Sequence, residues 1–386
     1  MPSLYVHIPF CQKKCSYCAF FSVPDAKPGL VESYLQGVEK EIQLRLMEAP
    51  VGVSSLFLGG GTPTMLSVEQ LDRLLNNIHQ QFVFVPQNSD EVFMEKTVEA
   101  NPGTLESGKL EVMRHYGVNR ISLGVQSFND HLLKSAGRIH SGKDIYNSVK
   151  LIRKSGIENL NLDLIFGLPG QDMNDWQAAL QKAVELTPEH LSLYALTVEE
   201  GTPLADCEAY AAKRDLLPDD DLQTDMYELA AGYLKSRGYL HYEISNFAKP
   251  GFECRHNSSY WLGDDYIGLG PGAVSCLQGV RSKNLEDIPA FQRQLGLGLR
   301  PIDFDQNENL TRDQLISEYM MLGLRTSKGI DTGQFARKFG QEIQDIYGRI
   351  LANYMARRII LFNNERLTID PAYYFVANSI IREFIN

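Results

Sequence analysis

The chain has 386 residues, with 37 Lys and Arg against 48 Asp and Glu, giving a net charge of −11. That acidic balance leaves no basic face for nucleic-acid phosphates and no Lys/Arg cluster for a membrane surface. Apolar runs such as the one after Arg357 are too short to span a bilayer, and Met1 leads into a strand pattern without a secretory signal, so a cytoplasmic protein is expected.

Up to about residue 200, short β-rich runs alternate with stretches of helical periodicity. The expected strands are Ser3–Ile8, Ser54–Leu58, Val92–Glu99, Arg120–Val125, Asn159–Ile165 and His190–Leu196. Between them, Val31, Tyr34, Leu35, Val38 and Ile42, then Leu71, Leu74, Leu75 and Ile78, recur at helical spacing. Six such βα units predict a parallel sheet, open or partly closed, with ligands at the carboxyl ends of its strands. After Thr202 the pattern changes. The acidic run PDDDLQTD opens a helix to about Arg237, followed by a strand-like LHYEI and a glycine-rich segment from Asn246 to Gly279, read as a separate element rather than a seventh unit. From Leu310 the expectation is three helices, the last two at Asp331–Phe339 and Glu342–Arg357, and a hairpin turning at the NN of RRIILFNNERLTI. This gives three expected regions, 1–203, 204–300 and 301–386. The last resembles a small winged-helix domain, read as a scaffold or interaction module because it is not notably basic.

Three of the six cysteines, Cys11, Cys15 and Cys18, cluster in HIPFCQKKCSYCAFF, whereas Cys207, Cys254 and Cys276 are dispersed. This distribution is unlike a disulfide framework and is typical of metal or redox use in a reducing compartment. A tight loop after a strand lets three sulfurs converge. Zinc usually takes four protein ligands, and the nearest fourth candidate, His7, falls inside the first strand. Three thiolates suit a four-iron cluster, which then keeps one iron open. Zinc or free thiols are the alternatives.

CQKKCSYC is a CxxxCxxC run and resembles the signature of the radical S-adenosylmethionine (SAM) superfamily. The wider context YVHIPFCxxxCxYC is similar to the branch holding oxygen-independent coproporphyrinogen III oxidase and the HemW-type haem chaperones, over nearly the whole chain. The resemblance implies an α/β fold. It consists of a partial (β/α)6 barrel with an added α/β segment and the winged-helix-like C-terminal domain. It also implies a [4Fe-4S] cluster on Cys11, Cys15 and Cys18 whose open iron binds SAM. Further motifs fall at successive strand ends. FLGGGTPT offers glycines that let a backbone approach a ligand, and by resemblance Gly60, Gly61 and Thr62 meet the amino-acid end of SAM. Glu99 of VEANP, Gln126 of LGVQSF and Asp163 of NLDLIF supply carboxylates and an amide suited to ribose hydroxyls or an ammonium. Arg138, Tyr5 and Tyr17 match family positions beside SAM and the cluster. No catalytic residue is assigned.

Three features separate this sequence from the oxidase pattern. Phe20 stands where the oxidase has a further cysteine, only ten residues precede Cys11, and CRHNSSYW contains HNxxYW, associated in HemW-type proteins with haem. By resemblance, His256 is the candidate axial ligand, with Asn257, Tyr260 and Trp261 beside it, and Cys254 is an alternative thiolate. GLGPGA follows no clear βα strand and does not fit GxGxxG, and is read as a close-packed turn rather than a nucleotide loop. The expected function is therefore haem binding and delivery to acceptor proteins, with SAM bound but coproporphyrinogen not oxidised. The alternatives are the oxidase itself and a cluster-bearing interaction protein. The resemblance leaves room for a homodimer and for transient contact with a membrane protein during delivery.

Overall fold

The structure is a computed structural model that describes residues 1–46, 52–85 and 94–385. Six strands run parallel in chain order: β1 (Ser3–Ile8), β2 (Leu56–Gly60), β3 (Lys96–Ala100), β4 (Arg120–Gln126), β5 (Asn159–Phe166) and β6 (His190–Ala195). Val92 and Phe93 of the expected third strand lie outside the described residues. The helices between strands start and stop where local chemistry dictates. α1 (Pro28–Leu46) buries Tyr34, Leu35, Val38 and Ile42. α2 (Val68–Gln81) is opened by a reciprocal Ser67–Gln70 capping box and buries Leu71, Leu74, Leu75 and Ile78. α3 (Ser107–His115) and α4 (Asp130–Ser135) are short. α5 (Gly142–Ser155) begins at a Ser141–Asp144 capping box and ends at Gly156, in a left-handed conformation. α6 (Met173–Glu185) is capped by Asp172.

Side-chain alternation along the strands divides the molecule into two environments. One face carries Leu4, Val6, Ile8, Leu56, Leu58, Val98, Ile121, Leu123, Leu160, Leu162, Leu191 and Leu193, all within the main buried core. The other carries polar groups that bond one another: Ser122 to Asp163, Asn161 to Ser122, and His190 and Ser192 to Asn161 across strands, and Asn161 to Asp163 along β5. A barrel whose outside is apolar under helices and whose lumen is polar is the arrangement that leaves room for a ligand.

After residue 203 the expected helix and LHYEI strand form, but the strand joins the main sheet. α7 (Asp220–Ser236) forms behind its Asp219 cap, and β7 (Leu240–Glu243) and β8 (Asn246–Ala248) extend the same sheet antiparallel beyond β6. A helix absent from the sequence reading, α8 (Arg255–Trp261), carries HNSSYW. β9 (Tyr266–Leu269) then pairs parallel with β1 on the far side of the sheet, so seven strands run parallel. β10 (Val274–Leu277), β11 (Val280–Asn284) and β12 (Ile302–Asn309) follow antiparallel, with α9 (Ile288–Gly296) inserted before the last. The twelve strands make one sheet, in the order β7-β8-β6-β5-β4-β3-β2-β1-β9-β10-β11-β12. GLGPGA is a tight turn, but it does follow a strand. A Cβ on Gly268 would lie 2.2 Å from the Val274 carbonyl oxygen, and one on Gly270 would lie 2.5 Å from that of His7. Glu41 of α1 clamps the turn, accepting from Gly270 N at 2.7 Å and Asn284 Nδ2 at 2.6 Å.

The C-terminal part holds α10 (Arg312–Gly323), β13 (Ile330–Asp331), α11 (Thr332–Phe339), α12 (Ile343–Ala356), β14 (Ile360–Asn363) and β15 (Arg366–Ile369), with a three-stranded sheet ordered β13-β15-β14. The hairpin turns on Asn364 and Glu365, one residue later than NN suggests. No helix among the described residues is long and apolar enough to cross a membrane.

Candidate functional site

The cysteine loop leaves β1 at its carboxyl end and is fastened at both sides. Upstream, His7 donates Nε2–H to the Phe21 carbonyl at 2.9 Å and accepts from the Tyr5 hydroxyl at 3.0 Å. Both ring nitrogens are therefore engaged, and His7 is not a spare metal ligand. Midway, Ser16 donates both its N–H and its hydroxyl to the Ala136 carbonyl. Burial raises the Cys11 and Cys18 thiols; Cys11 also feels repulsion from Cys15 and Cys18, and Cys18 from Cys15, so the three sulfurs share one neighbourhood. Among the described residues no three His, Cys, Asp or Glu side chains gather tightly enough for a single metal ion.

The glycine turn sits directly beside this loop. Gly61 N and Thr62 N donate to the Ile8 and Phe10 carbonyls, and a Cβ on Gly61 would stand 2.8 Å from those oxygens. Gly60 has φ +105°, and a Cβ there would enter the His7 ring. Glycine is thus required by both conformation and space. Thr62 Oγ1 approaches Cys11 Sγ at 3.6 Å and accepts from Asn101 Nδ2 at 2.7 Å.

The remaining rim residues assemble around the lumen. Glu99 accepts from Gly60 N at 3.0 Å, and burial, with the Asp163 carboxylate adding, pushes its pKa up to about 7. Burial also raises Asp163, opposed by hydrogen bonds from Asn161 and Ser122. Gln126 adopts φ +63° at a bulge where β4 slips against β5, and its buried Oε1 has no hydrogen-bond partner among the described residues. A buried acceptor without a partner in a strained backbone is a common mark of a ligand site. Arg138 bonds Cys15 Sγ at 3.4 Å, Asn101 Oδ1 at 2.5 Å and the Gly124 carbonyl at 2.5 Å, so it joins the cysteine loop to β4. Tyr17 lies beside Cys15 and Arg138, and Tyr5 points into the lumen near Glu99. Three thiols, a backbone cradle, two carboxylates and an unsatisfied amide at one rim form a donor set that fits a four-iron cluster with a zwitterionic, ribose-bearing ligand.

The HNSSYW residues are elsewhere. α8 closes the amino-terminal ends of the strands. Ser259 bonds Ser3 at 3.0 Å, Glu95 accepts from Arg255 N and His256 N at 2.9 and 3.0 Å, and Cys254 Sγ donates to Glu95 at 3.2 Å. The His256 ring is 1% exposed and stacks on Phe57. One nitrogen bonds Ser55 Oγ at 2.9 Å and the other bonds Tyr260 Oη at 3.0 Å. Burial, with Arg120 adding, holds its pKa down to about 3. As arranged, His256 is not the free axial ligand the motif suggested, because both nitrogens are occupied and the ring is enclosed. Cys254 is likewise buried, its thiol raised by burial. The N–H of Asn257 faces the Cys254 sulfur, and Trp261 lies under the Arg325 guanidinium at 4.9 Å. A six-residue strand separates this floor from the cysteine rim, roughly 17–20 Å at strand rise.

Sequence reasoning missed Asn101, Arg120, Ser122, Asn161 and His190. Their signal was present: polar residues at every second position of strands whose other face is apolar.

The radical SAM superfamily profile matches residues 5–183, and that of the HemN C-terminal domain matches residues 310–372. The haem chaperone HemW of Lactococcus lactis subsp. lactis is 37% identical over 385 residues, covering 99% of this chain and 97% of that protein. The chain belongs to the HemW family of the radical SAM superfamily. HemW of Bacillus subtilis is 36% identical over 95% of this chain and 94% of its own length, and HemW of Escherichia coli is 40% identical over 70% and 69%. Among solved structures, the coproporphyrinogen III oxidase HemN of Escherichia coli, a radical SAM enzyme, superposes with a TM-score of 0.85 at 25% identity, covering 100% of this chain and 90% of that one. The HemN fold thus extends over the same sheet and C-terminal domain described here.

Proposed function

We propose that this protein is a haem chaperone that carries a [4Fe-4S] cluster on Cys11, Cys15 and Cys18, binds SAM at the barrel rim, and hands haem to acceptor proteins in the cytoplasm. The observation that carries the SAM reading is the unsatisfied, left-handed Gln126 facing the same rim as the cysteine loop and the glycine turn. When bound, a reduced cluster of this kind supplies one electron for cleavage of the SAM sulfonium. The chain's own residues would then bind and orient. Gly60, Gly61 and Thr62 offer backbone to the amino-acid end, Glu99 and Asp163 accept from hydroxyls or an ammonium, Gln126 donates and accepts, and Arg138 holds Cys15 toward β4. Tyr5 and Tyr17 bound the ligand from the lumen and from the loop.

Haem binding is assigned to the protein on the strength of its relatives. The enclosed His256, with Asn257, Tyr260 and Trp261, serves in this arrangement as the barrel floor. Phe20 supports the chaperone reading over the oxidase, since it is 68% exposed beside Cys18 where the oxidase pattern has cysteine. The whole-chain superposition on HemN keeps radical oxidation of coproporphyrinogen as the second reading.

Replacing Cys11, Cys15 and Cys18 together with Ala abolishes iron–sulfur absorption on this reading. Retention of full iron and sulfide rules out the cluster assignment. Asp163→Ala weakens SAM by about 2–5 kcal/mol, the cost of removing one partner of a buried charged hydrogen bond, with cluster content unchanged. Undiminished SAM affinity in a cluster-loaded variant contradicts the rim assignment.

A further inference from the structure

The end of β4 raises an accounting question, because a bulge separates Gly124 from Gln126 and the strand stops pairing regularly with β5 just where the ligand amide projects. Carbonyls released from a ladder need other donors. The Gly124 carbonyl is taken by Arg138 Nη2 at 2.5 Å. The Val125 carbonyl accepts twice, from Ser127 N at 2.8 Å, closing a three-residue turn around Gln126, and from His140 Nε2 at 3.1 Å. A three-residue turn with positive φ at its centre is rare and strained, and a non-glycine residue holds it only when its surroundings fix it.

His140 is well placed to do so. It is 7% exposed, and it follows the segment Ala136–Arg138 that also fastens the cysteine loop through Ser16 and Cys15. A carbonyl can only accept, so the bonded Nε2 carries the proton. Burial first, and the neighbouring Arg138 second, keep the ring neutral near pH 7 by pushing its pKa down to about 4.

We propose that His140 is a positioning residue for SAM: by donating to the Val125 carbonyl it holds the bulge that turns the Gln126 amide toward the rim. The inference rests on the SAM reading above and goes further, because His140 need not touch the ligand. It acts through one backbone carbonyl and one side chain. The loop from Ala136 to His140 thereby sets both the cysteine loop and the SAM-facing amide, since each is bonded to it independently.

The test uses the full chain with its cluster reconstituted anaerobically. SAM affinity is measured by equilibrium dialysis, and the SAM-induced change in the electron paramagnetic resonance signal of the reduced cluster is recorded. His140→Ala weakens SAM roughly 5- to 10-fold, the equivalent of one buried hydrogen bond. His140→Gln, which keeps a donor at similar reach, recovers affinity to within about twofold. In a Gln126→Ala background, His140→Ala costs nothing more, because its effect runs through that amide. Equal losses in the two His140 variants, or full additivity with Gln126→Ala, overturn the proposal. Native protein that binds SAM together with a His140→Ala variant that binds it equally overturns this inference alone. Native protein that binds no SAM overturns the SAM reading and this inference with it.

Discussion

Glu99 has the most testable electrostatics of any residue at the rim. Its carboxyl sits at about 7 rather than the ordinary 4.5, through burial and then Asp163. Between those two values the folded protein holds a proton that the unfolded chain releases, so stability falls as pH rises from about 4.5 to about 7. The effect is on the order of 3 kcal/mol, and urea unfolding of the protein without SAM across that window shows the slope. Glu99→Gln reduces it, leaving the part due to other buried carboxyls such as Asp163, Glu41 and Glu243, and an unchanged slope in that variant disproves the assignment. His256 gives a second residue-scale expectation. Removing its ring strips Phe57 of a stacking partner and leaves the Ser55 and Tyr260 hydroxyls unpaired. His256→Ala therefore destabilises the fold by about 2–4 kcal/mol, whether or not haem is present. A variant as stable as the native protein contradicts the floor role. At this scale the sequence shows that Cys11, Cys15 and Cys18 share one loop after β1. It was silent where function lies in a contact. Nothing in HNSSYW reveals that Ser55 and Tyr260 occupy both nitrogens of His256, because Ser55 is 201 residues away.

Strands and helices with strong periodicity were legible, and short ones were not. α1 and α2 bury the residues their spacing singled out, since a long apolar stripe fixes both period and face. α8 has seven residues, fewer than the repeats needed to show a period, and its apolar groups are aromatics that suit a loop equally well. β9 was hidden in a glycine-rich run because its role, pairing with β1 at the other side of the sheet, is set by tertiary contacts rather than composition. The hairpin from β14 to β15 was found, but its turn falls on Asn364 and Glu365, with φ of 51° and 61°. Two central residues with positive φ favour Asn-Gly. Glu365→Gly should therefore raise stability by roughly 0.5–1 kcal/mol, detectable as an increase in Tm. A decrease means that Glu365 makes contributions beyond its backbone.

Across the whole molecule, one sheet carries two ends with different tasks. The carboxyl ends gather the cysteine loop, the glycine turn, Glu99, Gln126 and Arg138, while the amino ends are sealed by α8 through Glu95, Ser3 and Ser55. The βα alternation foretold the first end, because parallel strands present their loops on one side. It could not foretell the second, since closure of the floor depends on a helix more than 200 residues along the chain from β1. On the proposed function, the protein holds haem for transfer and does not oxidise coproporphyrinogen. One sample tests it: anaerobically purified, cluster-reconstituted protein, divided between a haem titration and incubation with coproporphyrinogen III, SAM and a low-potential reductant. The account predicts saturable haem binding with a defined absorption spectrum and no vinyl-bearing porphyrinogen. Conversion of coproporphyrinogen III with SAM consumed, or the absence of saturable haem binding, overturns it.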